Sequence, residues 1–341
     1  MNAARNARAL GANAGRMMGV TEAAALIRAG HCLSIAGDEG LLRQLPAGHW
    51  VGGTIPYFMG QDGGQTTREE LFVAELPLMG LGCTAQMYDE AGLAQVCTDG
   101  PENGFTLIVI PAFSDVHVSF ARHAPHYEDM FIKPLVGWVS GIHLDDLETT
   151  RPLVVNGETL EFSSTRAVAL HVPLPSDCVA HIDIINLFAP AQGSTIRFPQ
   201  TGFSADECLV DGRPERLANY LRRAKINTQL PLVADYNGAM INVCVKSVDP
   251  NSGRVDFYAP IFNDVEYRFA EPVNDYVQAF EARIRSNAVQ PSFACNCVLN
   301  YLYLNLEGKK VPRMLGPMTF GEVAYQLLNQ TLVYLWVEQL S

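Results

Sequence analysis

The stretch Gly316-Pro-Met-Thr-Phe-Gly-Glu-Val323, followed by Leu328-Asn-Gln-Thr-Leu-Val-Tyr-Leu-Trp-Val337, decides how the C-terminal part of this chain folds. The second segment is rich in β-branched and aromatic residues, which predicts a buried final strand. Ser292-Phe-Ala-Cys-Asn-Cys-Val298 predicts another strand that ends in small residues. The Glu of the Gly-Glu pair would then face Cys, Asn and Thr side chains. Such an arrangement favours a polar pocket inside an apolar core, and so a protein that holds a ligand.

Length and composition indicate a folded chain of two lobes. The 341 residues are many for one hydrophobic core, because single cores stop growing at about 250–300 residues. Hydrophobic residues make up 48% and charged residues 18%, which excludes a disordered chain. The net charge is −12 and no basic stretch is present, so electrostatic repulsion argues against a nucleic-acid partner.

The cysteines and the apolar runs indicate a cytoplasmic protein without a membrane partner. The eight cysteines are scattered, which favours buried, reduced thiols: Cys32, Cys83, Cys97, Cys178, Cys208, Cys244, Cys295 and Cys297. No apolar run approaches the roughly 18 residues of a transmembrane helix. The arginine-containing start of the chain has no apolar signal-peptide core, and we expect a flexible tail over residues 1–20.

Strand-like runs alternate with helical patterns, which predicts an α/β (mixed α+β) fold. We expect two lobes, 21–205 and 206–341, each with a mixed multi-stranded sheet flanked by helices. The clearest helix is expected over 273–286, from an apolar stripe at helical spacing. Four local expectations complete the prediction: a first helix with Thr21 as N-cap and Gly30 after its end, a hairpin turn at 60–64 with 70–76 as its second strand, a buried strand at 105–110, and a loop over 200–207.

The order of these elements resembles the FIST domain family over most of residues 30–338. The C-terminal half of that family is matched by the helix at 273–286, Cys295-Asn-Cys297, Gly316-Pro-Met-Thr-Phe-Gly-Glu322 and Asn329-Gln-Thr-Leu332. Its N-terminal half is resembled by Trp50-Val-Gly-Gly-Thr-Ile55, Leu135-Val-Gly-Trp-Val-Ser-Gly141, Val155-Asn-Gly157 and Ala167-Val-Ala-Leu-His171. The resemblance implies a sensory module that binds a small ligand, with amino acids among the candidates. Some FIST proteins that sense nitric oxide bind haem, which keeps a haem-binding gas sensor open as an alternative.

The chain departs from the family at two points. The family's Ser-Cys-x-Gly-Arg segment is here Ala294-Cys-Asn-Cys-Val-Leu-Asn300, which lacks the Arg. An Arg is a natural clamp for a carboxylate, so its absence weakens the expectation of an amino-acid ligand. FIST modules are usually fused to signalling modules, and we expect this chain to act on a signalling protein in trans.

Other residue groups lack the context that their chemistry needs. Pro125 interrupts the helix that would align His123 and His126 as metal ligands. Cys295 and Cys297 share one strand face, which favours packing over a redox pair. The glycines of Gly80-Leu-Gly-Cys-Thr-Ala85 lack the acid that a dinucleotide site needs after the next strand. His171 lies in an apolar strand and is expected to be a hydrogen-bonded core residue.

We therefore expect a small-molecule-binding sensory protein without catalytic activity, metal or cofactor. The expected ligand residues are Glu322, Cys295 and Asn296, with Thr54 and Asn329 beside them. Glu322 would accept a ligand ammonium or hydroxyl group, and the alternative is that it only ties backbone amides together. An enzyme that uses Glu322 or a cysteine stays open as a second alternative. A homodimer is a possible oligomeric state of the protein.

Overall fold

Strands outweigh helices in the structure, as the alternating apolar runs predict. The computed structural model describes residues 8–10, 15–77, 81–236, 239–285, 291–311 and 315–340. It is 17% helix and 41% strand, which confirms the mixed α+β class. The helices are α1 (Val20–Arg28), α2 (Glu39–Leu42), α3 (Asp115–His123), α4 (Leu217–Arg223), α5 (Tyr276–Arg285) and α6 (Val298–Tyr303). Single 3-10 turns cover Gly92–Gln95, Ala124–His126 and Leu144–Asp146.

The strands are short and run through the whole described chain. The first fourteen are β1 (Arg8–Leu10), β2 (Arg16–Met18), β3 (Leu33–Gly37), β4 (Trp50–Thr54), β5 (Tyr57–Gly60), β6 (Gly63–Thr66), β7 (Leu71–Glu75), β8 (Thr84–Tyr88), β9 (Gly104–Pro111), β10 (Leu135–Ser140), β11 (Val154–Asn156), β12 (Glu161–Ser163), β13 (Ala167–Pro173) and β14 (Cys178–Ile185). The remainder are β15 (Ile196–Arg197), β16 (Gly202–Ala205), β17 (Glu207–Val210), β18 (Arg213–Arg216), β19 (Leu232–Tyr236), β20 (Ala239–Val243), β21 (Val245–Val248), β22 (Val255–Ile261), β23 (Arg268–Phe269), β24 (Phe293–Cys297), β25 (Gly316–Thr319), β26 (Glu322–Ala324), β27 (Gln326–Leu328) and β28 (Leu332–Gln339).

The chain divides into two compact units that are interleaved in sequence. The larger unit comprises Met1–Ile185, Phe280–Leu327 and Leu332–Ser341, and the smaller unit comprises Asn186–Ala279 and Leu328–Thr331. These boundaries differ from the sequence-based division at residues 205 and 206. The physical reason is strand pairing, because β25, β26 and β28 hydrogen-bond to β5, β10 and β1 from the first half of the chain.

The larger unit contains three sheets. The first has the order β1-β28-β24-β25-β5-β6, with β14 along the other side of β28. The second has the order β27-β26-β10-β9-β13-β8, and the third has the order β12-β11-β4-β3-β7-β2. Three neighbouring pairs are parallel, namely β3 with β4, β9 with β10, and β24 with β25. The ends of these parallel strands position the functional residues described below.

An apolar cluster holds β3 and β4 in place. Ala23 and Ile27 of α1 pack with Leu42 of α2 and with Ile35 and Trp50 of the sheet. Trp50 is fully buried, and its indole N–H donates to the carbonyl of Pro46 at 3.0 Å. Fully burying a large apolar side chain contributes about 1.5–3 kcal/mol, so this cluster fixes the strand ends and α2 firmly.

The smaller unit is built from three antiparallel three-stranded sheets and α4. The sheets have the orders β15-β17-β18, β16-β22-β21 and β20-β19-β23. The chain segment Leu328–Thr331 joins this unit from far along the sequence. Asn242 of β20 donates to the Asn329 carbonyl at 3.0 Å, and the Cys244 thiol donates to the Gln330 side chain at 3.0 Å.

Several local expectations were wrong. Helix α1 begins one residue before Thr21, with Gly19 as N-cap, whereas Gly30 follows its end at φ +82° as predicted. The hairpin partner of β5 is β6, because β7 pairs with β3 and β2 instead. The predicted loop over 200–207 contains the strand β16, which pairs with β22.

The buried strand expected at 105–110 is confirmed as β9. The helix expected at 273–286 begins later, at Tyr276, while Ser286 and Gly80 lie outside the described residues. Within the predicted tail over 1–20, the described residues include the strands β1 and β2, and the remaining 1–7 and 11–14 lie outside the described residues. Within the described residues, no helix is long and apolar enough to cross a membrane.

Candidate functional site

Three of the five predicted ligand residues form one buried polar cluster. Cys295 and Asn296 lie on β24, and Glu322 begins β26, which pairs with Trp138 of β10. Thr319, at the end of β25, donates toward Glu322 Oε1 at 3.4 Å and lies 3.2 Å from the Asn296 carbonyl. The Glu322 side chain is fully buried. The structure therefore brings Cys295, Asn296 and Glu322 together, and their role as ligand contacts stays a prediction.

The packing of this cluster argues against a cysteine nucleophile. The Cys295 thiol donates to the carbonyl of Gly137 at 3.3 Å. Burial, and then the nearby Glu322 carboxylate, raise the pKa of Cys295 well above its ordinary value. The thiolate is the nucleophilic form of cysteine, so the raised pKa disfavours nucleophilic chemistry at Cys295.

The other two predicted ligand residues are Thr54 and Asn329. Asn329 belongs to the smaller unit, where its backbone carbonyl is bonded to Asn242. Thr54 ends β4 and lines an open cavity of about 280 Å³ in the larger unit. Neither Glu322, Cys295 nor Asn296 lines this cavity. Thr54 is therefore at a site with room for a ligand.

The cavity lies where strand ends of two sheets meet. Gly37 ends β3 and Thr54 ends the parallel strand β4, while Gly141 directly follows β10. The Ile55 N–H donates to the Gly37 carbonyl at 3.1 Å, and the Gly141 N–H donates to the Thr54 carbonyl at 2.7 Å. Residue 141 must be glycine, because a Cβ there would lie 2.3 Å from the Phe320 ring. Ligands in sheet proteins bind at such carboxyl ends of parallel strands.

Three arginines and three carboxylates line the cavity, and most of them are paired with each other. The cavity is lined by Gly37, Asp38, Glu39, Gly40, Arg43, Thr54, Ile55, Pro56, Arg68, Gly141, Ile142, His143, Asp146, Thr150 and Arg151. Arg43 binds Glu39 at 2.6 Å, and its guanidinium lies 4.1 Å from the centre of the Phe162 ring. Arg68 binds Asp146 at 2.6 Å.

Thr54 fastens the wall that carries Arg151. The Thr54 N–H donates to the Leu153 carbonyl at 2.9 Å, and the Leu153 N–H donates to Thr54 Oγ1 at 2.9 Å. The intervening Pro152 is buried and restricts the backbone of Arg151 to extended conformations. Thr54 is thus a positioning residue for the segment 150–153.

His143 adds a hydrogen-bond donor to the cavity. Its Nδ1 accepts from the Asp145 backbone N–H at 3.2 Å and lies 3.5 Å from the Asp145 carboxylate, and with Nδ1 as acceptor the ring proton is on Nε2. The ring stacks on Tyr57 with centroids 5.6 Å apart. Tyr57 in turn accepts from the Leu144 N–H at 3.0 Å, so the ring orientation of His143 is fixed.

The arginines and His143 were not identified from the sequence. Arg43, Arg68, His143 and Arg151 lie on separate segments, and no short motif joins them. One indication was available, because Asp38 follows a strand end and opens a helix, and its carboxylate accepts from the Gly40 N–H at 2.9 Å. A polar residue at a strand-to-helix junction marks the edge of a sheet where ligands bind.

The histidines considered as metal ligands have other surroundings. His123 lines a second, more open cavity with Asp89, Glu90, Ala91 and Ser119. His171 is buried and contacts Tyr88 and Thr106, as expected for a core histidine. Among the described residues, no group of three or more His, Cys, Asp or Glu side chains is arranged to hold a metal ion.

The fold and the site define a mixed α+β protein with a polar cavity at the ends of parallel strands. The chain belongs to a family of unknown function, DUF6976, whose match covers residues 18–338. No curated protein matches the chain in sequence.

Proposed function

We propose that the chain is a small-molecule-binding protein and that the cavity beside Thr54 is its binding site. The observation that carries this proposal is the position of the cavity at the carboxyl ends of β3 and β4. Its volume of about 280 Å³ lies near the lower end of the range for ligand pockets, about 300–1,000 Å³. A metabolite-sized ligand therefore suits it.

We further propose a sensory role in the cytoplasm. The resemblance to FIST domains supports a ligand-input module, and the raised pKa of Cys295 argues against this one cysteine as a catalytic nucleophile. In this role, ligand binding would change how the protein contacts a signalling protein in trans.

A thermal-shift screen of the purified protein tests the binding site. The panel contains the common amino acids, small organic acids, sugars and nucleosides. A bound ligand at about 100 times its dissociation constant stabilises the folded state by about 2.7 kcal/mol, which gives a measurable rise in Tm. Thr150→Trp should abolish this rise, because Thr150 is exposed and its replacement fills the cavity.

Thr149→Trp is the matched control, since Thr149 is a neighbouring exposed threonine that does not line the cavity. A ligand whose Tm shift survives in Thr150→Trp binds elsewhere and contradicts the proposed site. The same shift lost in both variants would point to a general disturbance of this loop.

A further inference from the structure

We propose that the cavity selects small organic anions, with Arg151 as the residue that contacts the anionic group. The inference rests on the proposed function and specifies the ligand class of the same site. The proposal is based on the Arg151 guanidinium, which has no partner within the described residues, whereas each carboxylate that lines the cavity is hydrogen-bonded or ion-paired.

Each carboxylate that lines the cavity already has a partner. Asp38 accepts from the Gly40 N–H at the start of α2. Glu39 binds Arg43 through both Nε and a terminal nitrogen, at 2.7 and 2.6 Å. Asp146 binds Arg68 at 2.6 Å. The negative charges of the lining are therefore neutralised or hydrogen-bonded without a ligand.

Arg151 is different from the other two arginines of the cavity. Within the described ranges of the chain, it makes no ion pair and no hydrogen bond, and it is exposed. The Arg151 guanidinium is consequently available to a ligand, although the lining as a whole contains three arginines and three carboxylates. An anion that enters the cavity can pair with this guanidinium at short range.

The geometry around Arg151 favours carboxylate or phosphate groups. A guanidinium presents paired N–H donors that match two oxygens of either group, and such charge-assisted bonds are stronger than neutral ones. Arg68 binds Asp146 through one terminal nitrogen, and the Nε2–H of His143 supplies a further donor. Because Thr54 and Pro152 hold the backbone beside it, Arg151 is partly preorganised.

Matched probes of equal size and different charge test this selection. Binding of succinate, of its uncharged analogue succinamide and of inorganic phosphate is measured by calorimetry at constant ionic strength, up to about 10 mM. The full chain is used as wild type, Arg151→Gln and Arg151→Lys. Arg28→Gln is the control, because Arg28 is also exposed, makes no ion pair in the described chain and lies outside the cavity.

We expect succinate, phosphate or both to bind, and succinamide to bind more weakly. Arg151→Gln should weaken anion binding about 10- to 100-fold, because it removes a charge-assisted pair of hydrogen bonds. The anion affinity of Arg151→Lys should lie between those of the wild type and Arg151→Gln, and the affinity of Arg28→Gln should match that of the wild type. Phosphate binding without succinate binding identifies a phosphate group as the anion, and the reverse identifies a carboxylate.

Three results would overturn the selection of anions. They are equal affinities for succinate and succinamide, anion binding that Arg151→Gln leaves unchanged, and no binding of either anion. Such results leave the proposed function standing if a neutral member of the thermal-shift panel binds and Thr150→Trp abolishes its shift. Failure of the proposed function is separately visible, as a panel in which no shift depends on Thr150.

Discussion

At the scale of single residues, hydrogen bonds determine the protonation of His171. Tyr88 donates its hydroxyl proton to Asp99 at 3.0 Å, so the 2.8 Å contact between Tyr88 and His171 is a bond from Nε2–H to the tyrosine oxygen. Nδ1 then accepts from the Thr106 hydroxyl at 2.9 Å. Both ring nitrogens are satisfied in the neutral form, and burial lowers the pKa of His171 to about 4.

This lowered pKa predicts a loss of stability in mild acid. An unfolded chain takes up the His171 proton near pH 6.5, whereas the folded protein resists it until about pH 4. The free energy of unfolding should therefore fall by about 3 kcal/mol as the pH drops through this window. Urea unfolding of wild type and His171→Gln between pH 7 and pH 4 measures it.

The variant should be less stable at pH 7 but should lose less stability on acidification. His126→Gln serves as the control, because His126 is exposed. Parallel pH profiles of wild type and His171→Gln would contradict a neutral, buried His171.

We expect the substitution Thr54→Val to lower both the stability of the protein and its affinity for the anion. Valine keeps the shape of threonine but leaves the Leu153 N–H without its acceptor, which costs about 1–3 kcal/mol. The freed segment carries Arg151, so the affinity for the succinate or phosphate probe should also fall. Thr54→Ser retains the hydroxyl and should restore both. Denaturant unfolding and calorimetry give the two readouts, and normal binding by Thr54→Val would remove Thr54 from the positioning role.

The substitution Glu322→Gln distinguishes between the buried cluster and the cavity as the ligand-binding site. We expect the variant to fold with a free energy of unfolding lower by about 1–3 kcal/mol, since a buried hydrogen-bonded carboxylate is replaced by an amide. Ligand-induced stabilisation should remain, because Glu322 does not line the cavity. Loss of the ligand shift in a variant with unchanged stability would instead make Glu322 a ligand contact.

At the scale of elements, the smaller unit depends on one asparagine. Asn242 is 2% exposed, donates to the Asn329 carbonyl, and exchanges two hydrogen bonds with Asn186 at 2.9 and 3.1 Å. Asn242→Asp would place carboxylate oxygens against a carbonyl, which should destabilise this unit by about 3 kcal/mol or more. Hydrogen exchange of amides in residues 186–236 and 239–279 measures the effect.

Asn251→Asp makes the same chemical change in an exposed turn and is the control. It should leave the exchange rates of those amides unchanged. Equal protection in Asn242→Asp and Asn251→Asp would show that the Leu328–Thr331 segment is held by other contacts.

The elements themselves were largely readable from sequence periodicity, whereas their partners were not. The apolar run at 105–110 and the turn at 60–64 correspond to β9 and to the β5–β6 hairpin. The predicted partner of β7 was wrong, because the hydrophobic pattern of a strand identifies its buried face but not the strand that lies next to it. The strand β16 was missed because its residues are half-buried and contain Gly and Ser rather than an apolar alternation.

The candidate site shows the same limit. Thr54 was identified because Trp50-Val-Gly-Gly-Thr-Ile55 resembles a strand end of the FIST family. Arg43, Arg68 and Arg151 come together through the pairing of β3 with β4 and β7 and of β4 with β11. The pairing of β4 with β11 joins residues about a hundred positions apart, so no short window of sequence contains all three arginines.

At the scale of the whole molecule, all eight cysteines are buried, which confirms the predicted burial. Burial raises the pKa of Cys97 to about 12 and that of Cys208 to about 11. Cys32 hydrogen-bonds to Cys83, which lowers the pKa of Cys83. We expect Ellman's reagent to react slowly with the native protein, at Cys83 first, and rapidly with all eight thiols after unfolding in guanidinium.

Peptide mapping after brief labelling identifies the first thiol, and Cys83→Ser should remove that phase. Rapid reaction of most thiols in the native protein would contradict their burial. Fewer than eight reactive thiols after unfolding without reductant would contradict the prediction that the cysteines are reduced.

The position of β28 has a consequence for biosynthesis. This strand pairs with β14 on one side and with β24 and β1 on the other, and the four residues before it complete the smaller unit. All these partners leave the ribosome earlier, at about 5–20 residues per second, and wait with unpaired edges. A premature stop codon at residue 328 would thus leave both units unfinished, and one within β28 would leave the larger unit unfinished. A nascent chain therefore needs protection from aggregation until this stretch emerges.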